Sequence, residues 1–347
     1  MQLEPSIVVS PLASSERSAW QAFLAGAVNA TLFHDLDFLD YHPTGRFAFE
    51  HLVFRQKGHI LALLPGGLVH RDEGEVFVSP LGASVGGFAV ARGLRTAQAL
   101  ALVQALQEHA HTRGWAGVEL TLAPGPFAAQ DTDLLSFALF SRGFMLKNRW
   151  LCAMLDLESA PVPHFKALFR KRQVSHVNAA ERKGMIVVEQ GPEGLDAFLE
   201  VFHDTYTRHG ATATHSPEEI AWLLTRLPDR VRLVLAMLDG RCAAGVLLLQ
   251  INPRAAYTFY ICASTALAEE RGNLMLYAKL ADLLAERGVR WLDLGPASWD
   301  GNYNAGVTFF KESLGCLMRC RDRWSWRVGQ SSGAALAGWN FMAEEAS

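Results

Sequence analysis

The order of predicted elements occurs twice in this chain, and that duplication constrains its fold more than any other feature. In the first copy His51–Arg55 reads as a strand, Gln56–His59 as a turn and Ile60–Leu64 as a second strand. In the second copy the corresponding pieces are Arg232–Leu238, an Asp-Gly turn at Asp239–Arg241 and Ala244–Ile251. Each hairpin leads to a further strand, a loop of small residues, an amphipathic helix and a strand entered through glycine and tryptophan. The helices are Thr96–Thr112, with Leu100, Val103, Leu106 and Ala110 on one face, and Asn273–Arg287, with Leu276, Leu280, Leu283 and Leu284. Gly114 and Gly288 stand where a helix end takes a left-handed residue, and Trp115 and Trp291 lead into Val118–Leu122 and Leu292–Leu294. Both copies are β-β-β-α-β, which predicts an α/β protein of two domains, each a mixed sheet flanked by helices.

The length of 347 residues accommodates two such domains, placed at 1–158 and 159–317, with a flexible tail at 331–347. Half of the residues are hydrophobic and 19% are charged, the balance of a folded globular chain. Glu4 and Pro5 interrupt the first apolar stretch, and runs such as Ala243–Leu249 are far shorter than the ~20 residues that span a bilayer, so no export signal or transmembrane segment is expected and the location is read as cytoplasmic. Cys152, Cys242, Cys262, Cys316 and Cys320 form neither a CxxC pair nor an even framework, and the histidines show no HExxH spacing, so reduced core thiols and no metal are expected. A net charge of −3 excludes a globally basic nucleic-acid binder.

Two stretches carry a family resemblance. GNLMLYAKLADLLAERGVRWLDLG from Gly272 to Gly295, followed by FKESLG from Phe310 to Gly315, resembles the Fem-like branch of tandem GNAT acyltransferases, through Asn273, Asp293, Gly295, Phe310, Lys311 and Gly315. RKRQVSHVNAAERKG from Arg170 to Gly184 resembles the basic helix that opens the second domain in that family, and the likeness runs from Pro163 to Arg323. LFHDLDFLDYHP (Leu32–Pro43) and SPLGASVGGF (Ser79–Phe88) resemble an acetyltransferase-like subset associated with surface-polysaccharide or cell-envelope synthesis. The resemblance implies two GNAT-like domains in tandem, with 318–330 packing back on the first. It also implies an N-acyltransferase moving an acyl group from acyl-coenzyme A to an amine of a small-molecule or lipid-linked acceptor, such as an amino sugar or a peptide-bearing precursor. Two alternatives stand beside it: a Fem-type transferase using charged tRNA on a cell-wall precursor, and a non-catalytic ligand-binding module. The chain has no sustained heptads for the helical arm that Fem-type enzymes often carry. It also lacks the full Arg/Gln-x-x-Gly-x-Gly/Ala loop of single-domain GNAT enzymes, offering only Arg271, Gly272 and Asn273 before the second helix.

Candidate site residues follow, each with a structural alternative. Lys166, Arg170, Lys171, Arg172, Arg182 and Lys183 face one acid, Glu181, in a short basic segment; Arg170 and Arg172, with Arg271, Gly272 and Asn273, are the cofactor-binding candidates, or else the segment is a solvated helix face. Lys311 is the first catalytic candidate, as a fixed charge for an oxyanion or phosphate, against an ordinary surface lysine. Asp293, ending a buried strand, is either a general base or the cap of a turn with Gly295. His209 is either a base or a helix C-cap before Gly210. Phe310, Tyr260, Tyr206, His34, Asp35, Ser79 and Ser84 are the substrate-binding candidates; Asp35 reads equally well as a helix N-cap, and the Ser79–Gly87 loop as a simple turn of the chain.

Overall fold

In a computed structural model, residues 6–329 are described apart from 131, 160–162, 164 and 300. The expected 331–347 tail therefore lies outside the described residues. Contacts divide the chain into two units: one holds the residues up to Ala30, Thr44–Asn148 and the chain from Asp322, the other Thr31–Pro43 and Arg149–Arg321. The units are not consecutive, as a boundary at 158/159 would make them.

The first unit begins with β1 (Ile7–Pro11) and α1 (Arg17–Gly26), while α2 (Leu36–Leu39) belongs to the second. Then follow β2 (Ala48–Phe49), β3 (Leu52–Gln56), β4 (His59–Leu64), β5 (Gly67–Arg71), β6 (Gly74–Ser79), β7 (Ala89–Val90), α3 (Thr96–Thr112), β8 (Gly117–Thr121) and α4 (Asp133–Ser141). One sheet has the order β1–β3–β4–β7; in the other, β2, β5, β6 and β8 lie side by side, with β6 and β8 parallel. The C-terminal strand β17 (Leu317–Arg327) adds Arg323–Arg327 antiparallel to β8, in register Arg323↔Thr121 to Arg327↔Gly117. Leu102, Val103 and Leu106 of α3 pack on Phe54, Phe77, Phe88 and Trp115.

The second unit contains β9 (Met145–Asp156) from Arg149 on, α5 (Lys171–Arg182), β10 (Ile186–Gln190), α6 (Leu195–His209), α7 (Pro217–Arg226), β11 (Val231–Leu238), β12 (Arg241–Asn252), β13 (Ala255–Ala263), α8 (Gly272–Glu286) and β14 (Trp291–Pro296). A small hairpin, β15 (Ser298–Trp299) with β16 (Asn302–Tyr303), leads to α9 (Ala305–Glu312). The strands lie in the order β10–β11–β12–β13–β14–β9, antiparallel except for β13 with β14. Val234, Ala236, Val246, Leu248, Ala256 and Leu292 meet Leu276, Leu280 and Leu284 of α8 to form the core of this unit.

Both predicted hairpins and both predicted helices fall at their expected places, and each unit is a mixed sheet flanked by helices. Lys311 lies in the last turn of α9, whose N-cap Asn304 accepts from the N–H of Val307 at 3.0 Å. Four of the cysteines are buried, as core thiols should be, whereas Cys320 is exposed. No helix among the described residues is long and apolar enough to cross a membrane.

Candidate functional site

Two local features of the second unit create a site. The parallel strands β13 and β14 are paired only from Ala255↔Trp291 to Tyr257↔Asp293, although β13 runs on to Ala263 and β14 to Pro296. Beyond Tyr257 the strands part, and on its other edge, against β12, β13 carries a bulge: Leu247 faces Tyr260 and Leu248 faces Thr258, so Phe259 is the extra residue. Where parallel strands of an α/β sheet diverge, a crevice forms at their C-terminal ends.

The second feature is a cavity of about 420 Å³ where the N-termini of α5 and α8 meet α9, lined among others by Arg170, Arg172, His176, Arg271, Asn273 and Phe310. Two helix N-termini direct partial positive charge at one place, and their orphan N–H groups are ready anion donors. Arg170 is the N-cap of α5 and stacks its guanidinium 4.7 Å over the Phe309 ring, which holds the charge at the cavity wall. Among the described residues neither Arg170 nor Arg172 pairs with a carboxylate, so this positive charge is uncompensated within the fold. Arg271 caps α8 with φ of 54°, a left-handed conformation that favours glycine, and reaches Glu269 at 3.6 Å. Gly272 starts α8 flush against β12, since a Cβ there would lie 2.8 Å from the Cβ of Ala243 and 3.0 Å from its carbonyl carbon. We expect Gly272→Ala to push the first turn of α8 off the sheet and to lower stability by ~1–3 kcal/mol in denaturant unfolding.

The opposite face of the opened strands is aromatic and ionisable. Asp293 is 2% exposed, and its Oδ1 accepts from the N–H of Gly295 at 2.7 Å. Burial pushes its carboxyl up to about 6, against the opposing pull of the Gly295 N–H and of the Arg321 and Lys311 charges. Both readings of Asp293 thus meet in one residue: it caps the Gly295 turn and it is a carboxyl tuned towards neutrality. Tyr257, level with Asp293 on β13, is pushed up to about 12 by burial and is hydrogen-bonded to Arg321.

Lys311 requires correction. Its ammonium donates to the carbonyls of Leu294 at 2.7 Å, Gly295 at 2.9 Å and Pro296 at 2.9 Å. An ammonium has three protons, and all are directed at the end of β14, leaving none for an oxyanion or phosphate. Burial lowers its pKa, the nearby Asp293 carboxylate opposing this. Lys311 is therefore the clasp of the strand end, not the group that touches substrate.

His209 is the exposed last residue of α6, and the cap is the next residue, Gly210, at φ of 58°, with its N–H donating to the Thr207 and Tyr206 carbonyls. Asp35 is the N-cap of α2, accepting from the N–H of Asp37, and buried His34 closes the preceding turn through Thr31. Ser79 and Ser84 belong to the first unit; the Ser79 hydroxyl donates to the carbonyl of Pro65 and accepts from the N–H of Gly87, which fixes the loop. Arg170, Arg172, Arg271, Asn273 and Phe310 are brought together at the cavity, and Gly272 sits directly between two of them. Tyr206 and Tyr260 also meet, ring centroids 6.0 Å apart. Sequence reasoning missed Phe309, Tyr257, Arg321, Tyr41 and His215. The only signal near His215 was the Ser216–Glu219 capping box of α7, which marks a helix start and says nothing of chemistry. No group of His, Cys, Asp and Glu among the described residues could hold a metal ion.

Residues 169–311, most of the second unit, match the acetyltransferase (GNAT) domain family. Of solved structures, FemX is similar with a TM-score of 0.71 at 14% identity, covering 93% of this chain and 98% of that one. L-PGS from Bacillus licheniformis is similar at 0.58 and 13% identity, over 93% and 94% of the two chains. A tandem GNAT protein from the clavulanic acid biosynthesis pathway follows at 0.54 and 16% identity, over 94% and 100%. These likenesses show the fold, which is that of tandem GNAT proteins. A comparison with curated proteins returns no match.

Proposed function

We propose that the chain is an N-acyltransferase that takes an acyl group from acyl-coenzyme A and places it directly on an amine. The observation that carries this reading is the cavity at the start of α8, where uncompensated Arg170 and Arg172, together with Arg271 and two helix N-termini, make a site for a polyphosphate. The donor supplies an activated thioester, and the chain supplies position, charge and a base. Arg170, Arg172 and Arg271 hold the phosphates, and the parting of β13 and β14 gives the thioester arm a path through the sheet. Asp293, at the last position of β14 paired with β13, takes the proton that the amine loses as its nitrogen bonds the carbonyl carbon. The acceptor class, an amino sugar or a peptide-bearing envelope precursor, follows from the Fem-like resemblance and is part of the proposal.

Binding of acetyl-coenzyme A, followed by calorimetry across a salt series, tests the reading. The paired substitution Arg170→Ala with Arg172→Ala is expected to weaken binding by roughly 10²- to 10⁴-fold and to flatten its salt dependence, since charge-assisted phosphate contacts are worth ~1.5–3 kcal/mol each. Arg271→Gly relieves a left-handed arginine, so it should weaken binding without lowering the melting temperature. Wild-type protein that does not bind acetyl-coenzyme A would overturn the donor assignment.

A second reading is favoured by the extent of the FemX likeness: an aminoacyl group delivered by charged tRNA, whose phosphates suit the same arginines. Binding of charged tRNA in place of acetyl-coenzyme A, lost in the same arginine pair, would decide for it. Binding of neither would leave a module without chemistry.

A further inference from the structure

On the face of the second unit away from α8, one cation has no anionic partner. Leu292 and Leu294 of β14, with Ala153 and Leu155 of β9, pack into the core with α8, so strand alternation turns Asp293, Trp150 and Cys152 to the other face. Arg321 of β17 lies there as well. Its guanidinium stands 5.3 Å over the Trp150 ring and is hydrogen-bonded to Tyr257, the residue level with Asp293. Tyr257 and Asp293 are the last pair before β13 and β14 part, so Arg321 stands at the mouth of the crevice.

Other polar groups around the crevice are engaged. Lys311 is spent on three carbonyls. The Tyr260 hydroxyl lies 2.7 Å from Nδ1 of His215 and 2.7 Å from Oγ1 of Thr214, while Nε2 of His215 lies 2.6 Å from the Tyr41 hydroxyl. Arg321 differs: its Nε is buried without a hydrogen-bond partner, and it pairs with no carboxylate among the described residues. Its electrostatic neighbours are the Cys152 thiol and the Tyr257 phenol, each pushed up to about 12 by burial and therefore neutral, and the Asp293 carboxyl. Arg290 and Arg327 also bury an unpaired N–H, but each lies on a carboxylate, Glu158 at 3.2 Å and Glu119 at 3.0 Å, and Arg254 stands at the closed end of β13. A buried N–H without a partner is rare in a folded protein, and a guanidinium so placed is stabilised once an anion reaches it. The planar guanidinium matches a carboxylate, whose two oxygens accept parallel N–H bonds.

We infer that Arg321 binds a carboxylate of the acceptor, so that the amine acylated beside Asp293 belongs to an amino acid or to the amino-acid end of a peptide. This rests on the acyltransferase reading above, and of its two acceptor classes it selects the peptide-bearing one. The acceptor nitrogen bonds the thioester carbon and its proton passes to Asp293. The carbon–sulfur electron pair leaves with sulfur as thiolate, which is protonated from solvent as Asp293 returns its proton there. Arg321 forms no covalent bond; it fixes where the amine stands. Trp150 holds the guanidinium flat and Tyr257 fixes its rotation. A bound carboxylate also offsets the Arg321 charge that draws the Asp293 carboxyl down, so the base strengthens when the acceptor arrives.

The test measures thiol release from acetyl-coenzyme A with alanine, glutamate, lysine and the dipeptide alanyl-lysine, each beside its C-terminal amide, and with glucosamine, at equal concentrations of unprotonated amine. Wild-type protein is expected to favour at least one acid over its amide by roughly 10- to 100-fold in KM, the worth of one charge-assisted contact. Arg321→Met, which keeps an apolar stem over Trp150, should erase that preference by raising KM for the acid, and Arg321→Lys should restore part of it. Because Arg321 also acts on Asp293, the readout is the acid-to-amide ratio, in which a general effect on the base or the fold cancels. Free lysine against the dipeptide separates an amino acid from a peptide end. Thiol release in which no acid exceeds its amide, or a ratio unchanged in Arg321→Met, overturns the carboxylate site and leaves the acyltransferase reading standing. Protein that binds acetyl-coenzyme A but releases thiol with none of these amines overturns the site too. If wild-type protein neither binds acetyl-coenzyme A nor releases thiol, the acyltransferase reading falls and the site falls with it. Should melting curves show that Arg321→Met does not fold, Arg321→Lys and the wild-type ratio carry the decision.

Discussion

Asp293→Asn is expected to lower kcat/KM for acyl transfer by about 10²- to 10⁴-fold, the range of a lost general base, while leaving the protein at least as stable at neutral pH. The two halves of this result have different causes. Asparagine keeps an oxygen for the Gly295 N–H, so the turn after β14 survives, but it cannot take a proton. The stability half follows from linkage. The carboxyl titrates at about 6 in the fold against an ordinary 3.8, so the folded state binds its proton more tightly than the unfolded chain does. Its contribution is therefore most favourable below pH about 4, is lost as pH rises through about 6, and is constant above. Two units correspond to at most about 3 kcal/mol. Melting temperatures measured between pH 4 and 8 should fall less steeply for Asp293→Asn than for the parent. An Asn variant with full activity would remove Asp293 from the chemistry.

Lys311→Ala carries the second large expectation, and it concerns folding. The substitution strips the donor from three carbonyls at the end of β14 and, from buried Asp293, one of the two cations that act on it, Arg321 being the other. Removing one partner of a buried charged network costs about 3–5 kcal/mol. The variant should show a lower denaturant midpoint and a melting temperature reduced by several degrees, with lost activity following lost fold. Lys311→Met, which restores apolar volume without donors, should recover only part of that loss. Wild-type stability in Lys311→Ala would show that the three hydrogen bonds are dispensable. From its motif alone Lys311 reads as a catalytic charge whose removal spares the fold; the carbonyl clasp reverses that expectation. A lysine in a short helix looks the same in sequence whether its ammonium faces a ligand or a ring of carbonyls.

The same distinction runs through the rest of the site. Local pattern sufficed wherever one element carries the information. Three- and four-residue spacing placed Thr96–Thr112 and the helix that begins at Gly272, Asp-Gly placed the β11–β12 turn, and the basic run placed the positive charge of α5. Asp35 was legible as a cap for the same reason, because a cap is a bond to a neighbour in the chain. His215 was not legible. Its partners Tyr41 and Tyr260 are 174 and 45 residues away, and no periodicity encodes a hydrogen bond of that separation. Nor could a linear reading know that β13 and β14 part after Asp293, since that pairing joins residues far apart in the chain. By itself the sequence determined the duplicated α/β plan, the helices that bear the cavity and the charge placed there, all through interactions within a few residues. Tertiary structure alone decided which of those charges remain free, which lysine is consumed by backbone carbonyls and which tyrosine meets a histidine, because each depends on groups that only the folded sheet brings within hydrogen-bond reach.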